Sequence, residues 1–198
     1  MNNLSSTSFN MLEKLIDADR KLFSLINQAH DPVVDFLMYW ATDKWIWIPF
    51  YIWILYIIII NYGWKTVYVL LITATMITIS DQVSVALKDS VHRLRPCHDP
   101  YFNGIIHLVN NECGGNFGFV SSHASNTMTL AIFIAGILPI SFRWLKVELF
   151  AYVLLVCYSR VYLGAHFPGD IIGGWLLGIV VGVIGVFIFR KINSIKKI

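Results

Sequence analysis

Five long apolar runs, separated by short polar segments, constrain the fold of this chain more than any other feature of its sequence. Each run is close to the ~20 residues that an α-helix needs to cross the hydrocarbon core of a bilayer. Of the 198 residues, 57% are hydrophobic and only 14% are charged, whereas soluble domains carry about 45–50% apolar and about 25% charged residues. We therefore expect an all-α integral membrane helical bundle with about five transmembrane helices, at roughly Trp45–Tyr62, Thr66–Leu87, His123–Ile140, Val147–Tyr162 and Ile171–Phe189.

The segment before the first run has a different character. From Met11 onwards, apolar residues recur at helical spacing and charged residues fall mainly between them, which is typical of an amphipathic helix. Such a helix lies on the membrane surface or packs on the rest of the protein, and the pattern favours neither. Asp31-Pro32 ends this helix, and the piece that follows, Val33–Thr42, is too short to span a bilayer and is expected to be interfacial. The chain thus divides into N-terminal amphipathic and interfacial helices at 1–44 and a transmembrane core at 45–198, and its polar start predicts no cleavable signal peptide.

Positive charges alternate along the chain in a way that predicts its orientation. Lysines and arginines follow the first span, separate the third from the fourth, and follow the fifth, at Lys65, Arg143, Lys146, Arg190, Lys191, Lys196 and Lys197. The positive-inside rule makes this side cytoplasmic, including the C-terminus. The loop from about His92 to Ser122 and the turn at Arg160–Gly169 then lie outside. The net charge of +3 is too small to indicate a nucleic-acid partner.

A first cluster of cations lies at the end of the second run. Lys88, His92 and Arg95 have spacings of four and seven, which put them on one face if the helix continues to Arg95. Pro96 disfavours helical conformation at Arg95, so we expect the helix to end there. Arginine grips phosphate oxygens in pairs and lysine adds a point charge, so this face is a candidate anion site. The alternative is that these side chains extend towards lipid headgroups.

A second candidate site opens the third run. Ser121 is suited to the N-cap position, and a helix N-terminus offers free backbone N–H groups and positive potential to an anion. His123, in the first turn, would sit beside a bound phosphate and could protonate a leaving oxygen. The alternative is that His123 is an interfacial side chain without a chemical role.

The third cluster, Ser159–Asp170, places a cation, an imidazole and a carboxylate close together between two apolar runs. Ionisable groups at the edge of a membrane segment are costly and tend to mark functional sites. Arg160 can reach the same anion, and His166 is the candidate nucleophile of a phosphate-ester hydrolysis site. Pro168 is suited to the first position of the fifth helix, which leaves His166 just before that helix and Asp170 in its first turn. The Asp170 carboxylate can then fold back and fix the tautomer of His166, or it is only a favourable first-turn acid.

Two further features lie within the spans. Gly174, Gly178 and Gly182 form a small-residue face in the fifth run, which allows close helix approach, and packing inside the bundle is favoured over dimerisation. Asp81 lies in the second run, two turns below Lys88. It is either the counter-ion of Lys88 or a polar contact inside the bundle.

The chain has three cysteines. Cys97 and Cys113 flank the outer loop, which is predicted to face an oxidising compartment. We hypothesise that they form a disulfide that closes a loop of about 15 residues. In the chain-entropy model such a disulfide stabilises the folded state by about 3 kcal/mol. Cys157 is alone in a span and is expected only to fill space. The cysteine and histidine spacings match no zinc pattern, and no cluster of carboxylates indicates a metal, so we expect no metal and no cofactor.

Together these residues resemble the membrane branch of the type-2 phosphatidic-acid phosphatase superfamily, which shares its site with vanadium haloperoxidases. The motifs of that family are Lys-x6-Arg-Pro, Pro-Ser-Gly-His and Ser-Arg-x5-His-x3-Asp. The first is matched in full by Lys88 through Arg95-Pro96, and the third by Ser159-Arg160 through His166 and Asp170. The second reads Val120-Ser121-Ser122-His123, which keeps the serine and the histidine but replaces the proline and the glycine.

This resemblance implies a role for each motif residue. His166 would attack phosphorus to form a phosphohistidine, and Asp170 would orient it. His123 would protonate the departing oxygen and then activate the hydrolytic water. Three cations and two serines would hold the phosphate, namely Lys88, Arg95, Arg160, Ser121 and Ser122. Fixed cations stabilise the developing charge, so the resemblance implies no metal.

We therefore expect a metal-independent phosphoric monoester or diphosphate hydrolase that acts on a lipid phosphate in the bilayer. Its site would face the periplasm at a bacterial cytoplasmic (inner) membrane. The expected substrates are undecaprenyl diphosphate or a phosphate of lipid A, with phosphatidylglycerol phosphate or phosphatidic acid as alternatives. A non-catalytic lipid-phosphate binder or transporter is the alternative from another class, but it would not need His123, His166 and Asp170. The sequence does not indicate an oligomeric state.

Overall fold

The structure is a computed structural model that describes residues 3–102 and 104–195, with the side chains of 10–102 and 104–194. Over these residues it is helical, which confirms the all-α prediction, and the sole β-type pairing that it describes is an isolated antiparallel contact of Leu94 with Phe117. The α-helices are α1 (Asn3–Asn27), α2 (Pro32–Thr42), α3 (Ile48–Tyr62), α4 (Thr66–Val91), α5 (Ser122–Ile137), α6 (Arg143–Tyr162) and α7 (Pro168–Ile195). Short 3₁₀ turns lie at Gly63–Lys65, Pro96–His98, Pro100–Phe102, Val109–Asn111 and Ile140–Phe142. Lys196 and Lys197 lie outside the described residues.

Local chemistry explains where these helices begin and end. Asp31 caps α2, because its Oδ1 accepts a hydrogen bond from the backbone N–H of Val33 at 2.8 Å. Ser121 is the N-cap of α5 and Pro168 is the first residue of α7, which confirms both sequence predictions. The expectation that α4 reaches Arg95 is wrong. The helix ends at Val91, and His92 follows it with a left-handed φ of 52°.

Helix α5 lies at the centre of the bundle and packs against α4, α6 and α7. Its contact with α7 is close because the small-residue face of α7 lies against it. A Cβ atom added at Gly178 would lie 2.5 Å from the backbone oxygen of Ser125, and one at Gly174 would lie 2.7 Å from that of Ser121. The glycine stripe therefore packs inside the bundle, as predicted.

Two helical stretches are long and apolar enough to cross a membrane by length and composition. They are Ile48–Val91, which comprises α3 and α4, and Pro168–Ser194, which is nearly all of α7. Helices α5 and α6 do not meet the same criteria. The count of about five transmembrane helices therefore stays a proposal, whereas the helical bundle itself is established.

The N-terminal helix α1 packs on the C-terminal end of α6 and the N-terminal end of α7. On its inner face Phe23 is 1% exposed, and Nδ2 of Asn27 donates to the backbone oxygens of Tyr162 at 2.7 Å and His107 at 2.8 Å. The opposite face carries exposed apolar side chains, at Met11, Leu12, Leu15, Leu22 and Leu25. One face of α1 thus packs on the protein and the other is free to contact lipid, and the domain boundary at residue 45 stays a prediction.

Candidate active site

Three helix ends and two loops converge at one end of the bundle. The last turn of α4 contributes Lys88, the first turn of α5 contributes His123, and the last turn of α6 contributes Arg160. The loop after α4 brings in Arg95, and the turn before α7 brings in His166. The residues predicted from three separate motifs therefore lie together in space.

Lys88 and the two serines join α4 to α5. The Lys88 ammonium group donates to Oγ of Ser122, the first residue of α5, at 2.6 Å. Ser121 is fully buried, and its backbone N–H donates to the backbone oxygen of Asp170 at 3.0 Å. The N-terminus of α5 is thereby fixed to α7 as well as to α4.

The guanidinium group of Arg95 is held by backbone carbonyls. Its Nε donates to Phe117 O at 3.2 Å, and its Nη1 donates to the backbone oxygens of Cys113 and Ala165, each at 3.3 Å. Gly114 lies against it with a φ of +88°, and a Cβ there would lie 3.3 Å from Nη1. The same Nη1 is 3.4 Å from Nε2 of His166. Backbone contacts thus aim Arg95 at the imidazole.

Arg160 has spare hydrogen-bonding capacity. Its Nη1 donates to Oγ1 of Thr42 at 3.1 Å, while its buried Nε has no hydrogen-bond partner among the described residues. The Arg160 backbone oxygen accepts from the N–H groups of Ala165 and His166, at 3.1 and 3.2 Å. One residue therefore closes the turn that carries the imidazole and offers a free donor beside it.

The charges of the site are unbalanced. Within the described parts of the chain, no carboxylate forms an ion pair with Lys88, Arg95 or Arg160. Partly buried cations normally have a counter-ion, because removing an uncompensated charge from water is costly. Three such cations around one point therefore form a candidate site for an anion, and phosphate suits arginine and lysine donors.

His166 is buried, with 2% of its surface exposed. Burial lowers the pKa of His166 well below its usual value, and the neighbouring cations, Arg95 first, lower it further. The neutral imidazole is therefore favoured, which leaves one ring nitrogen with a free lone pair. Nδ1 lies 3.5 Å from Oδ2 of Asp170, within ion-pair range but without a hydrogen-bond partner among the described residues. Nε2 lies beside Arg95, on the side of the cations.

The firmest contacts of Asp170 are not with His166. Its carboxylate is completely buried, and Oδ1 accepts from Nη1 of Arg93 at 2.8 Å while Oδ2 accepts from the backbone N–H of Phe167 at 3.0 Å. Arg93 is absent from the residues predicted from sequence. The available signal is its place in the first motif, because Arg93 occupies one of the unspecified positions, two residues before Arg95.

His123 lies in the first turn of α5 with an exposed ring. With Ser122 it lines one end of a cavity of about 640 Å³. The cavity runs between α3, α4, α5 and α6, and its walls are mainly apolar, with Ile54, Leu55, Val69, Leu130, Ile134 and Val156 among them. The exposed imidazole therefore stands where a polar site meets an apolar cavity.

His92 and Asp81 were the other two residues considered as neighbours of Lys88, and their contacts are different from those of the cations. His92 is exposed, and its ring packs edge-on against Phe117 with centroids 4.7 Å apart. It does not join Lys88 and Arg95, because α4 ends before it. Asp81 lines the cavity and accepts from Nδ2 of Asn126 at 3.3 Å, which is a polar contact inside the bundle. Its negative charge also acts on Lys88 at longer range.

The outer loop is closed at its base. Cys97 and Cys113 are joined in a disulfide, with Cα atoms 6.1 Å apart. His98 lies beside them, and in the described part of the chain these three residues are the one group whose atoms could together hold a metal ion. Sulfur atoms joined to each other are not available as thiolate ligands. The disulfide lies next to Arg95, which contacts the Cys113 carbonyl.

Comparison with known proteins identifies relatives that are phosphatases. A family model described as the PAP2 superfamily matches residues 65–194. Over 188 residues the chain is 38% identical to the lipid A 4'-phosphatase of Bacteroides thetaiotaomicron, covering 93% of this chain and 82% of that protein. Over 189 residues it is 30% identical to the undecaprenyl-diphosphatase of Sulfolobus acidocaldarius, with coverages of 94% and 85%.

The fold also matches a solved structure. The crystal structure of a transmembrane PAP2-type phosphatidylglycerolphosphate phosphatase from Bacillus subtilis superposes with a TM-score of 0.67 at 23% identity, covering 93% of this chain and 88% of that one. A helical bundle with an anion site built from three helix ends thus defines the class of protein. The chain belongs to the PAP2 superfamily, which confirms the resemblance drawn from its three motifs.

Proposed function

We propose that this protein is a membrane lipid phosphatase that removes a phosphate group from lipid A. The observation that carries the proposal is a set of three cations, Lys88, Arg95 and Arg160, around the buried imidazole of His166. None of the three has a carboxylate partner among the described residues. Relatives named lipid A 4'-phosphatase and undecaprenyl-diphosphatase support a phosphate ester or diphosphate hydrolase.

The cavity supports a lipid as the carrier of that phosphate. Its apolar walls suit acyl chains, and its polar end holds Ser122 and His123. A lipid phosphate with its chains between α3 and α4 would present its phosphoester bond beside both histidines. A water-soluble phosphate ester would leave the apolar part of the cavity without a partner.

The proposed reaction has two steps. In the first, the Nε2 lone pair of His166 attacks phosphorus and the bond from phosphorus to the lipid oxygen breaks. His123, protonated when the phosphate anion is bound beside it, gives that oxygen a proton. In the second, His123 takes a proton from water, the water oxygen bonds to phosphorus, and the phosphorus–Nε2 bond breaks. Inorganic phosphate leaves, and both imidazoles return to their starting states.

The remaining site residues bind the phosphate and orient the nucleophile. Lys88, Arg95 and Arg160 neutralise the charge that develops on the phosphate oxygens, and the N-terminus of α5 adds backbone donors. Ser121 and Ser122 assist by fixing that N-terminus. Asp170 holds the Nδ1 proton of His166 and so keeps Nε2 free for attack.

The topology that we propose has five spans, α3 to α7, in a bacterial cytoplasmic membrane. The exposed apolar side chains of α6, such as Leu154 at 57% exposure, support contact with lipid even though this helix also carries charges. Lys65, Arg143 and Arg190 would share the cytoplasmic side with the C-terminus. The site would then face the periplasm, where the phosphate groups of lipid A are met.

Undecaprenyl diphosphate is the second candidate substrate, and the relative from Sulfolobus acidocaldarius favours it. Its phosphates would use the same cations, and its polyprenyl chain would occupy the same apolar cavity. The distinction between the two lipids therefore depends on the parts of the substrate beyond the phosphate.

The test is phosphate release by the purified protein from a panel of lipid phosphates in detergent. We expect the fastest release from lipid A, slower release from undecaprenyl diphosphate, and none from any lipid with His166→Ala. His92→Ala is the matched control, because His92 is exposed and lies outside the site. Undiminished turnover by His166→Ala would exclude the mechanism. Faster release from undecaprenyl diphosphate than from lipid A would make undecaprenyl diphosphate the preferred substrate.

A further inference from the structure

We propose that Arg93 and Asp19 are positioning residues that hold the Asp170 carboxylate towards His166, so that α1 is part of the catalytic unit. This inference rests on the proposed function, in which His166 is the nucleophile. Asp19 lies outside the three motifs, and Arg93 occupies one of the unspecified positions of the first. Neither residue lines the cavity. The effect of the pair on the reaction would pass through Asp170.

The first contact is between Arg93 and Asp170. Nη1 of Arg93 donates to Oδ1 of Asp170 at 2.8 Å, and the carboxylate is completely buried. A buried carboxylate without a cation is strongly disfavoured as an anion. The Arg93 guanidinium is itself fixed, because it lies over the Phe167 ring at 4.5 Å and the Arg93 backbone oxygen accepts from Gly118 N–H at 2.8 Å.

The second contact is between Arg93 and Asp19 of α1. Nη2 of Arg93 donates to Oδ2 of Asp19 at 2.5 Å, while Oδ1 of Asp19 accepts from the backbone N–H of Gly169 at 2.8 Å. Gly169 is the second residue of α7 and immediately precedes Asp170. Asp19 therefore holds both the arginine and the first turn of the helix that carries the carboxylate. A Cβ at Gly169 would lie 2.8 Å from Oδ2 of Asp19, which shows how closely α1 approaches.

These contacts determine the rotation of the Asp170 carboxylate. Arg93 occupies Oδ1, and the Phe167 N–H occupies one side of Oδ2. A Cβ at Gly118 would lie 2.8 Å from Oδ2, so Gly118 leaves just enough room for this oxygen. The remaining side of Oδ2 faces Nδ1 of His166 at 3.5 Å. Without Arg93 the Oδ1 end of the carboxylate would lose its partner, and the alignment of Oδ2 with the imidazole would be less well defined.

Arg93 also contributes to the charge around the His166–Asp170 pair. The other charged groups that act on this pair are Arg95, Arg160 and Lys88, which face the anion site. His123 is the further titratable group nearby, on α5. Arg93 is the only one of the described cations that forms an ion pair with Asp170. Its removal would raise the pH at which the pair takes up a proton, since a positive charge opposes protonation.

The chain supplies a matched control in the next residue of α1. Arg20 forms an ion pair with Asp99 of the outer loop at 2.8 Å, and it lies over the Tyr101 ring at 4.4 Å. This contact also docks α1 on the protein, but it does not lead to Asp170. A variant at Arg20 therefore reports on the docking of α1 alone.

The experiment compares five variants of the full-length protein in detergent, Arg93→Gln, Arg93→Lys, Asp19→Asn, Arg20→Gln and His166→Ala. Each is assayed for kcat, KM and the pH profile of kcat, with folding checked by thermal unfolding. We expect Arg93→Gln to lower kcat by about 10- to 100-fold, the range known for partners that orient metal-bound histidines. KM should stay within about twofold, because the anion site is intact. The acid limb of the profile should move to higher pH.

The conservative variants separate positioning from folding. Arg93→Lys keeps the charge but cannot bridge two carboxylates in the same way, so the acid limb should return towards its original pH while kcat stays lowered. Asp19→Asn should lower kcat without moving the acid limb upwards, since Arg93 keeps its charge. Arg20→Gln should match the wild type in kcat and in pH profile. If Arg93→Gln does not fold, Arg93→Lys and Asp19→Asn carry the test.

Failure of the inference is distinguishable from failure of the proposed function. If His166→Ala is inactive but the Arg93 and Asp19 variants keep the kcat and pH profile of the wild type, the positioning role is overturned and the mechanism stands. The positioning role is also overturned if Arg20→Gln lowers kcat as much as Asp19→Asn does, because docking of α1 would then explain both effects. If His166→Ala keeps full activity, the proposed mechanism and this inference fall together.

Discussion

Nε2 of His166 lies 3.4 Å from Nη1 of Arg95, so the proposed nucleophile and a proposed phosphate-binding cation face the same point. The positions of both are fixed by backbone contacts. The turn of His166 is closed on the Arg160 carbonyl, and Arg95 is held by the Cys113 and Phe117 carbonyls. A phosphate that binds Arg95 would therefore meet the imidazole without a rearrangement of either side chain.

Arg160 provides the first prediction, because its buried Nε has no partner among the described residues. We expect this donor to bind a phosphate oxygen. Hydrogen bonds to charged groups contribute about 1.5–3 kcal/mol, so Arg160→Gln should weaken inhibition by vanadate, which resembles the phosphate, by roughly 10- to 150-fold. Arg190→Gln is the control, because Arg190 is exposed and contacts the Gly136 carbonyl at the far end of the bundle. An equal inhibition constant for Arg160→Gln and the wild type would remove Arg160 from the site.

Most of the bundle could be predicted from the sequence because local rules govern it. Apolar runs predict the helices, and Ser121 and Pro168 mark the starts of α5 and α7. Three glycines predict the close contact of α7 with α5. The three motifs point to residues that lie together in space, because each motif lies at a helix end. His92 was placed incorrectly because its spacing rule holds only inside a helix, and α4 ends at Val91.

The support of Asp170 could not be predicted in the same way. Arg93 is separated from Asp170 by 77 residues and from Asp19 by 74, and no periodicity links such positions. The pattern of α1 placed Asp19 among its charged residues and gave no sign that it turns inwards. The sequence also could not decide between the two roles of Asp81, because its partner Asn126 is 45 residues away.

The buried imidazole predicts a pH dependence of stability. Burial and nearby cations lower the pKa of His166 in the folded protein, whereas in the unfolded chain it is about 6.5. Below that pH the unfolded chain binds a proton that the folded protein does not, so stability falls as the pH falls. The loss of unfolding free energy between pH 7 and pH 5 should therefore be smaller in His166→Gln than in the wild type. Identical losses in thermal unfolding experiments would mean that His166 titrates normally.

The outer loop gives a prediction about sulfur chemistry. Cys97 and Cys113 are paired and Cys157 is a buried free thiol. Alkylation of the denatured, non-reduced protein should therefore modify Cys157 alone, and mass spectrometry would detect one added group per chain. Cys113→Ser should lower stability by about 3 kcal/mol in the chain-entropy model. It should also reduce activity, because the loop that carries Cys113 holds Arg95. Three added groups in protein prepared without reductant would exclude the disulfide.

The close contact of α7 with α5 gives a prediction about packing. A Cβ at Gly178 would lie 2.5 Å from Ser125 O and 2.8 Å from Met128 Cβ, so Gly178→Ala should force the two helices apart. Overpacking of this kind lowers stability by about 1–3 kcal/mol. Replacing glycine by alanine in a helix raises stability by about 1 kcal/mol, so we expect a net loss. Gly115→Ala is the control, because a Cβ at Gly115 meets no atom within 4 Å. We expect a lower midpoint of thermal unfolding in detergent for Gly178→Ala and an unchanged one for Gly115→Ala. An increase for Gly178→Ala would show that α7 can move away from α5 without cost.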